Sequence, residues 1–116
     1  MSRLRVAVVG AGQMGSSHAR VVSESDDAEL AVVIDIDAAA AARTADRHGV
    51  RSSTDLTDAM GCDAVIVASS TAARHDIVVP LLEAGRPLLV EKPFAPCLAE
   101  MEALLALAEA KDIPVM

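Results

Sequence analysis

The sequence predicts a doubly wound α/β fold: one parallel sheet, strand order 3-2-1-4-5-6, with helices on both faces. Three observations predict it. Apolar runs of strand length alternate with helical patterns along the chain. The first run, Val6-Ala7-Val8-Val9, opens into a G-x-G-x-x-G signature at Gly10, Gly12 and Gly15, and a helical stretch follows at once. The second run, Leu30 to Ile34, ends in an acid, Asp35, which stands 20 positions beyond Gly15.

The elements follow in order. Residues Arg3 to Val9 form the first strand, whose consecutive apolar positions Val6 to Val9 suit a strand covered on both faces. A helix runs from about Gly12 to Ser25, and a second strand covers Glu29 to Ile34. Asp37 caps a helix from Ala38 to about His48, whose five successive alanines have high helix propensity, and Gly49 ends it. Val50 to Ser52 is a short edge strand. Thr54 or Ser53 caps a short helix from Asp55 to Met60. The fourth strand is Asp63 to Ala68, with Ser69-Ser70-Thr71 as a polar loop at its end. A helix over Ala72 to Ala84 holds Pro80, which bends it or removes one hydrogen bond. Pro87 to Val90 is the fifth strand. The last helix is Cys97 to Lys111, with Leu98, Met101, Leu105 and Ala108 marking its buried face and Leu104 beside them. Ile113 to Met116 begins a sixth strand. Right-handed crossovers then bring the strand ends carrying Gly10, Asp35, Ser69 and Glu91 to one edge, where ligands of such folds bind.

The length of 116 residues predicts a single domain, 1–116. Hydrophobic residues make up 53% of the chain, yet Phe94 is its one aromatic residue, so Val, Leu, Ile, Ala and Met must build the core. The net charge of −7 is scattered and leaves no basic stripe for nucleic acid. No apolar run is long enough to cross a membrane. Arg3 and Arg5 precede an apolar stretch that glycines break, which argues against a signal peptide. Cys62 and Cys97 form no C-x-x-C and read as reduced structural thiols of a cytoplasmic protein, with no metal cluster.

The glycine motif and Asp35 together point to dinucleotide binding. Gly10 permits the tight turn, Gly12 lets backbone approach a pyrophosphate, and Gly15 lets the helix pack on the strand. Gln13 and Met14 lie at the helix start, where free N–H groups face phosphates. The acid at position 35 suits a ribose hydroxyl. With Asp37 nearby, Ile36 between them and no Arg there, NAD is expected over NADP. His18 and His48 read as ordinary helix residues, and His75 as the histidine nearest a cleft.

At Glu91-Lys92-Pro93 the chain shows a second motif. Together with Val8 to Gly15, Val33 to Asp37 and Leu82 to Pro87, it resembles the N-terminal domain of the Gfo/Idh/MocA oxidoreductases, the glucose–fructose oxidoreductase and inositol dehydrogenase group. The resemblance implies a Rossmann fold and NAD(P)-dependent oxidation and reduction of a sugar, polyol or related alcohol. It implies that Lys92 is catalytic and lies by the nicotinamide ribose, that Glu91 helps hold the nicotinamide end, and that Ser69, Ser70 and Thr71 border the cofactor. The cofactor set is then Gly10, Gly12, Gln13, Met14, Gly15, Asp35, Ile36, Ser69, Ser70, Thr71, Glu91 and Lys92. A cis peptide at Lys92-Pro93 is expected to aim the lysine along the cleft. The family often has Pro at position 70 and His at position 74; this chain has Ser70 and Arg74, with His75 one place later, so no role passes to His75.

The family continues into a substrate domain of mostly antiparallel sheet, through which its dimers and tetramers largely form. The chain ends at Met116, which implies the cofactor half of a longer enzyme or a naturally short relative, and leaves homo-oligomers possible. The rival expectation is a module that holds dinucleotide as a sensor without turnover.

Overall fold

The computed structural model describes residues 3–92, 95 and 97–116; of Thr71 only the backbone is described. Five strands form one parallel sheet in the order β3-β2-β1-β4-β5. They are β1 (Leu4–Val9), β2 (Ala28–Ile34), β3 (Arg51–Ser53), β4 (Ala64–Val67) and β5 (Leu88–Val90). The helices are α1 (Gln13–Glu24), α2 (Ala38–His48), α3 (Arg74–Glu83) and α4 (Leu98–Ala110). β3 lies at the sheet edge, as its brevity and polarity predict.

The expected sixth strand is not a strand. Its residues run beside β5, with one bridge from Leu88 to Val115 and bonds from the Met116 and Val90 amides at 2.9 and 2.8 Å. Pro114 has no N–H to give, so its carbonyl alone joins the pairing. The short helix after β3 is a 3-10 turn, Leu56–Ala59, and its cap is Asp55 rather than Thr54 or Ser53. The expected helix from Ala72 divides into a 3-10 turn, Thr71–Ala73, and α3.

The sheet separates two cores. Ala7, Val9, Val65 and Val67 face α3 and α4, packing on Val78, Leu81, Leu82 and Leu104. Val6 and Val8 face α1 and α2, packing on Ala19, Val22 and Ala45. Alternation along β1 divides its residues in this way. β2 breaks the rule: Leu30 pairs with Val6, but Val32 pairs with Ala7, leaving Ala31 as an extra residue. This bulge puts Leu30 and Val33 on one side of the sheet despite their odd spacing. Asp35 follows in the phase of Val33.

Two expectations about packing change. On α4, Leu104 and Ala108 are buried while Leu98 and Leu105 are exposed, so the inward face is centred on 104 and 108. Leucines on several sides of that helix left its period ambiguous. Methionine contributes less than expected: Met60 packs on the core from its margin, whereas Met14 and Met116 are exposed. Both cysteines are free; Cys62 is buried, which pushes its thiol pKa up, but Cys97 is exposed and not a core thiol. Among the described residues, no helix is long and apolar enough to cross a membrane, and no three or more metal-ligating side chains gather.

Candidate functional site

The C-terminal ends of β1, β2 and β4 meet around a cleft of about 370 Å³. Gly10, Gly12, Asp35, Ile36, Ser69 and Ser70 are in its wall. The glycine turn builds the first side. Gly10 has a φ of 105°, and a Cβ there would lie 2.6 Å from the Ala68 carbonyl carbon, so only glycine fits between β1 and β4. A Cβ at Gly15 would stand 1.8 Å from the Gly10 carbonyl oxygen. That contact is what lets α1 start directly against the turn. Gly12 differs, since a Cβ there meets nothing within 4 Å. It caps α1 without a side-chain bond, and its carbonyl accepts from the Ser16 amide at 2.8 Å. The N–H groups of Gln13 and Met14 are therefore among the helix-end donors that no capping side chain satisfies.

Asp35 builds the second side. One carboxylate oxygen accepts from the Ala11 amide at 2.8 Å, the other from the Asp37 amide at 2.9 Å. The acid thus locks the glycine turn to the end of β2 and retains further lone pairs. The Asp37 carboxylate caps α2, accepting from the Ala39 and Ala40 amides at 3.0 and 3.2 Å, as its position before the alanines predicts. Between the two acids Ile36 is 96% exposed, an apolar side chain presented at the rim.

At the end of β4, Ser69 and Ser70 lead into the 3-10 turn that begins with Thr71. Arg74 is the unexpected residue. It is 3% exposed, and its guanidinium donates to the Ser69 carbonyl from Nε at 3.2 Å and Nη2 at 2.9 Å. Its Nη1 donates to the Glu91 carbonyl. The arginine so ties the loop after β4 to the end of β5. Burial pulls its pKa down, while the Glu91 charge opposes that. His75 is exposed beside Asp76 and is not in the wall of the cleft.

Glu91 and Lys92 follow β5, outside the lining of the cleft. The Glu91 carboxylate meets His18 Nε2 of α1 at 2.5 Å. That hydrogen bond, then the histidine's charge, the Lys92 backbone N–H and Arg74, hold the carboxyl below its ordinary value against the opposing effect of burial. His18 was missed by sequence reasoning. Its one signal is position, three residues after Gly15 on a helix whose start lies at the strand ends. Lys92 is exposed. The expected cis bond to Pro93 lies outside the described residues.

Fold and glycine turn together define a dinucleotide-binding Rossmann domain. The family model for the Gfo/Idh/MocA group, described as an oxidoreductase family with an NAD-binding Rossmann fold, matches residues 4–116, and the chain belongs to that family. It is 38% identical over 116 residues to an inositol 2-dehydrogenase of Corynebacterium glutamicum, covering 96% of this chain and 34% of that protein. It is 39% identical over 113 residues to inositol 2-dehydrogenase 2 of Paenarthrobacter aurescens, covering 95% and 33%. The crystal structure of GenD2 from gentamicin A biosynthesis, in complex with NAD, superposes with a TM-score of 0.93 at 34% identity, covering 99% of this chain and 34% of that one. The chain therefore spans about a third of the length of these relatives.

Proposed function

We propose that residues 1–116 are the cofactor half of an NAD(H)-preferring dehydrogenase that acts on the CH–OH group of a polyol, sugar or related alcohol. The observation that carries this is Asp35, held by the Ala11 amide against the glycine turn with acceptor capacity to spare. The residues present fit a dinucleotide. Open space at Gly12 leaves the turn accessible to a pyrophosphate, and the uncapped start of α1 offers donors to it.

In this reading Gly10, Gly12, Gln13, Met14 and Gly15 hold the pyrophosphate. Asp35 accepts from the adenosine ribose hydroxyls, and exposed Ile36 gives the adenine an apolar surface. A 2′-phosphate would meet the Asp35 carboxylate, with Asp37 close behind, so NADP(H) is disfavoured. Ser69, Ser70 and Thr71 border the far half of the cofactor, and Glu91 and Lys92 stand at the nicotinamide end. The cofactor, when bound, supplies the hydride acceptor or donor. Lys92 Nζ stabilises the developing alkoxide or relays its proton. The names of the inositol dehydrogenase relatives support a polyol as substrate.

The groups that grip the substrate belong, in this reading, to sequence outside these 116 residues. Orientation of the two reactants accounts for about 7–11 kcal/mol of barrier lowering in well-built sites. Acid–base help from Lys92 supplies a factor of about 10²–10⁴, well short of the roughly 10⁶ or more of whole enzymes. The purified chain, incubated with NAD and a panel of polyols and sugars, is expected to bind NAD without forming NADH. Turnover that disappears in Lys92→Ala would contradict the half-enzyme reading. Absence of NAD binding would overturn the function itself.

A further inference from the structure

The residue after β5 is held from three directions. Glu91 donates its amide to the Val67 carbonyl at 2.9 Å, which continues the pairing with β4. Its own carbonyl accepts from Arg74, at the start of α3. Its carboxylate is bound by His18, from α1, at 2.5 Å. The histidine and glutamate side chains are 21% and 22% exposed, so the bond is partly shielded from water. A glutamate with three free torsions would not stay in one place for long; this one is fixed at backbone and side chain alike. Lys92 is the next residue of the chain, so whatever fixes the Glu91 backbone also fixes where the lysine begins.

The element that supplies His18 matters. α1 is the helix whose uncapped start forms the glycine turn. One rigid body therefore carries both the pyrophosphate donors and the group that holds Glu91. We propose that His18 is a positioning residue for the nicotinamide half of the dinucleotide, setting Glu91 and Lys92 in register with the glycine turn through its bond to the Glu91 carboxylate. The proposal rests on the NAD-binding reading above and adds to it a residue that touches neither pyrophosphate nor adenosine.

The test compares NAD with ADP, which has the adenosine and both phosphates but neither the second ribose nor the nicotinamide ring. Both are titrated calorimetrically into the full chain and into His18→Ala. NAD affinity is expected to fall about tenfold, the scale of a lost hydrogen bond to a charged group. ADP affinity is expected to stay unchanged, which also reports that the variant is folded. In a Glu91→Ala background, His18→Ala should add no further loss, because it acts through that carboxylate. Equal weakening of both ligands, no change in either, or additive losses in the double variant would overturn the proposal. A wild-type chain that binds neither ligand would overturn the NAD-binding reading, and this inference with it.

Discussion

The two ends of the ligand edge are built by different means. At the first, around Gly10 to Asp35, backbone does the work. The turn exists because two positions exclude any side chain, and the one acid there is tied to a backbone amide. At the second, around Ser69 to Lys92, side chains from separate elements do the work: Arg74 spans two strand ends, and His18 reaches Glu91 across 73 positions of sequence. A site made from backbone constraints leaves a local sequence signature, because the residue types that close backbone contacts dictate fall together in one strand-turn-helix unit. A site made from long side chains leaves little, because its partners meet through the topology alone.

The largest effect expected from this contrast lies within the glycine motif. Gly15→Val should destabilise the whole domain, since even its Cβ meets a backbone oxygen that cannot move without shifting β1. The cost is expected to exceed the usual overpacking penalty of about 1–3 kcal/mol. Gly12→Val, with open space around its Cβ, should leave stability nearly unchanged while abolishing NAD binding. Urea denaturation of both variants beside an NAD titration of the second checks the pair. Equal destabilisation of the two would erase the distinction between a glycine required by packing and one required by ligand approach.

A smaller effect concerns pH at the second end. The Glu91 carboxyl lies below its ordinary value, first through the His18 hydrogen bond. A carboxyl depressed in the folded state stabilises it above the unfolded value, about 4.3, and loses that contribution as pH falls through the folded one. Wild type should therefore lose stability relative to Glu91→Gln as pH drops from about 5 to below 4. Denaturation midpoints of both chains across that range are the measurement. A difference independent of pH would show that the carboxylate is not held in its charged form.

The same contrast explains what could be read from sequence. Strand–helix alternation, the glycine turn and the Asp37 cap were legible because each is a local rule. Asp35 was legible as the acid closing β2, but its aim was not. The bulge at Ala31 re-phases β2, and nothing in an unbroken apolar run announces an extra residue. The inward face of α4 was misjudged because its leucines lie on several sides. Arg74 and His18 were passed over for a related reason. A buried guanidinium needs carbonyls to satisfy it, and Ser69 and Glu91 supply them from two different strand ends.

The central claim is that Asp35 reads the adenosine end of NAD at a backbone-built site. Parallel calorimetric titrations of NADH and NADPH into the wild-type chain and Asp35→Ala test it most directly. The account predicts that NADH binds more tightly to wild type, and that the substitution weakens NADH and narrows the gap between the two. Equal or reversed affinities in wild type, or NADH affinity unchanged in Asp35→Ala, would contradict it.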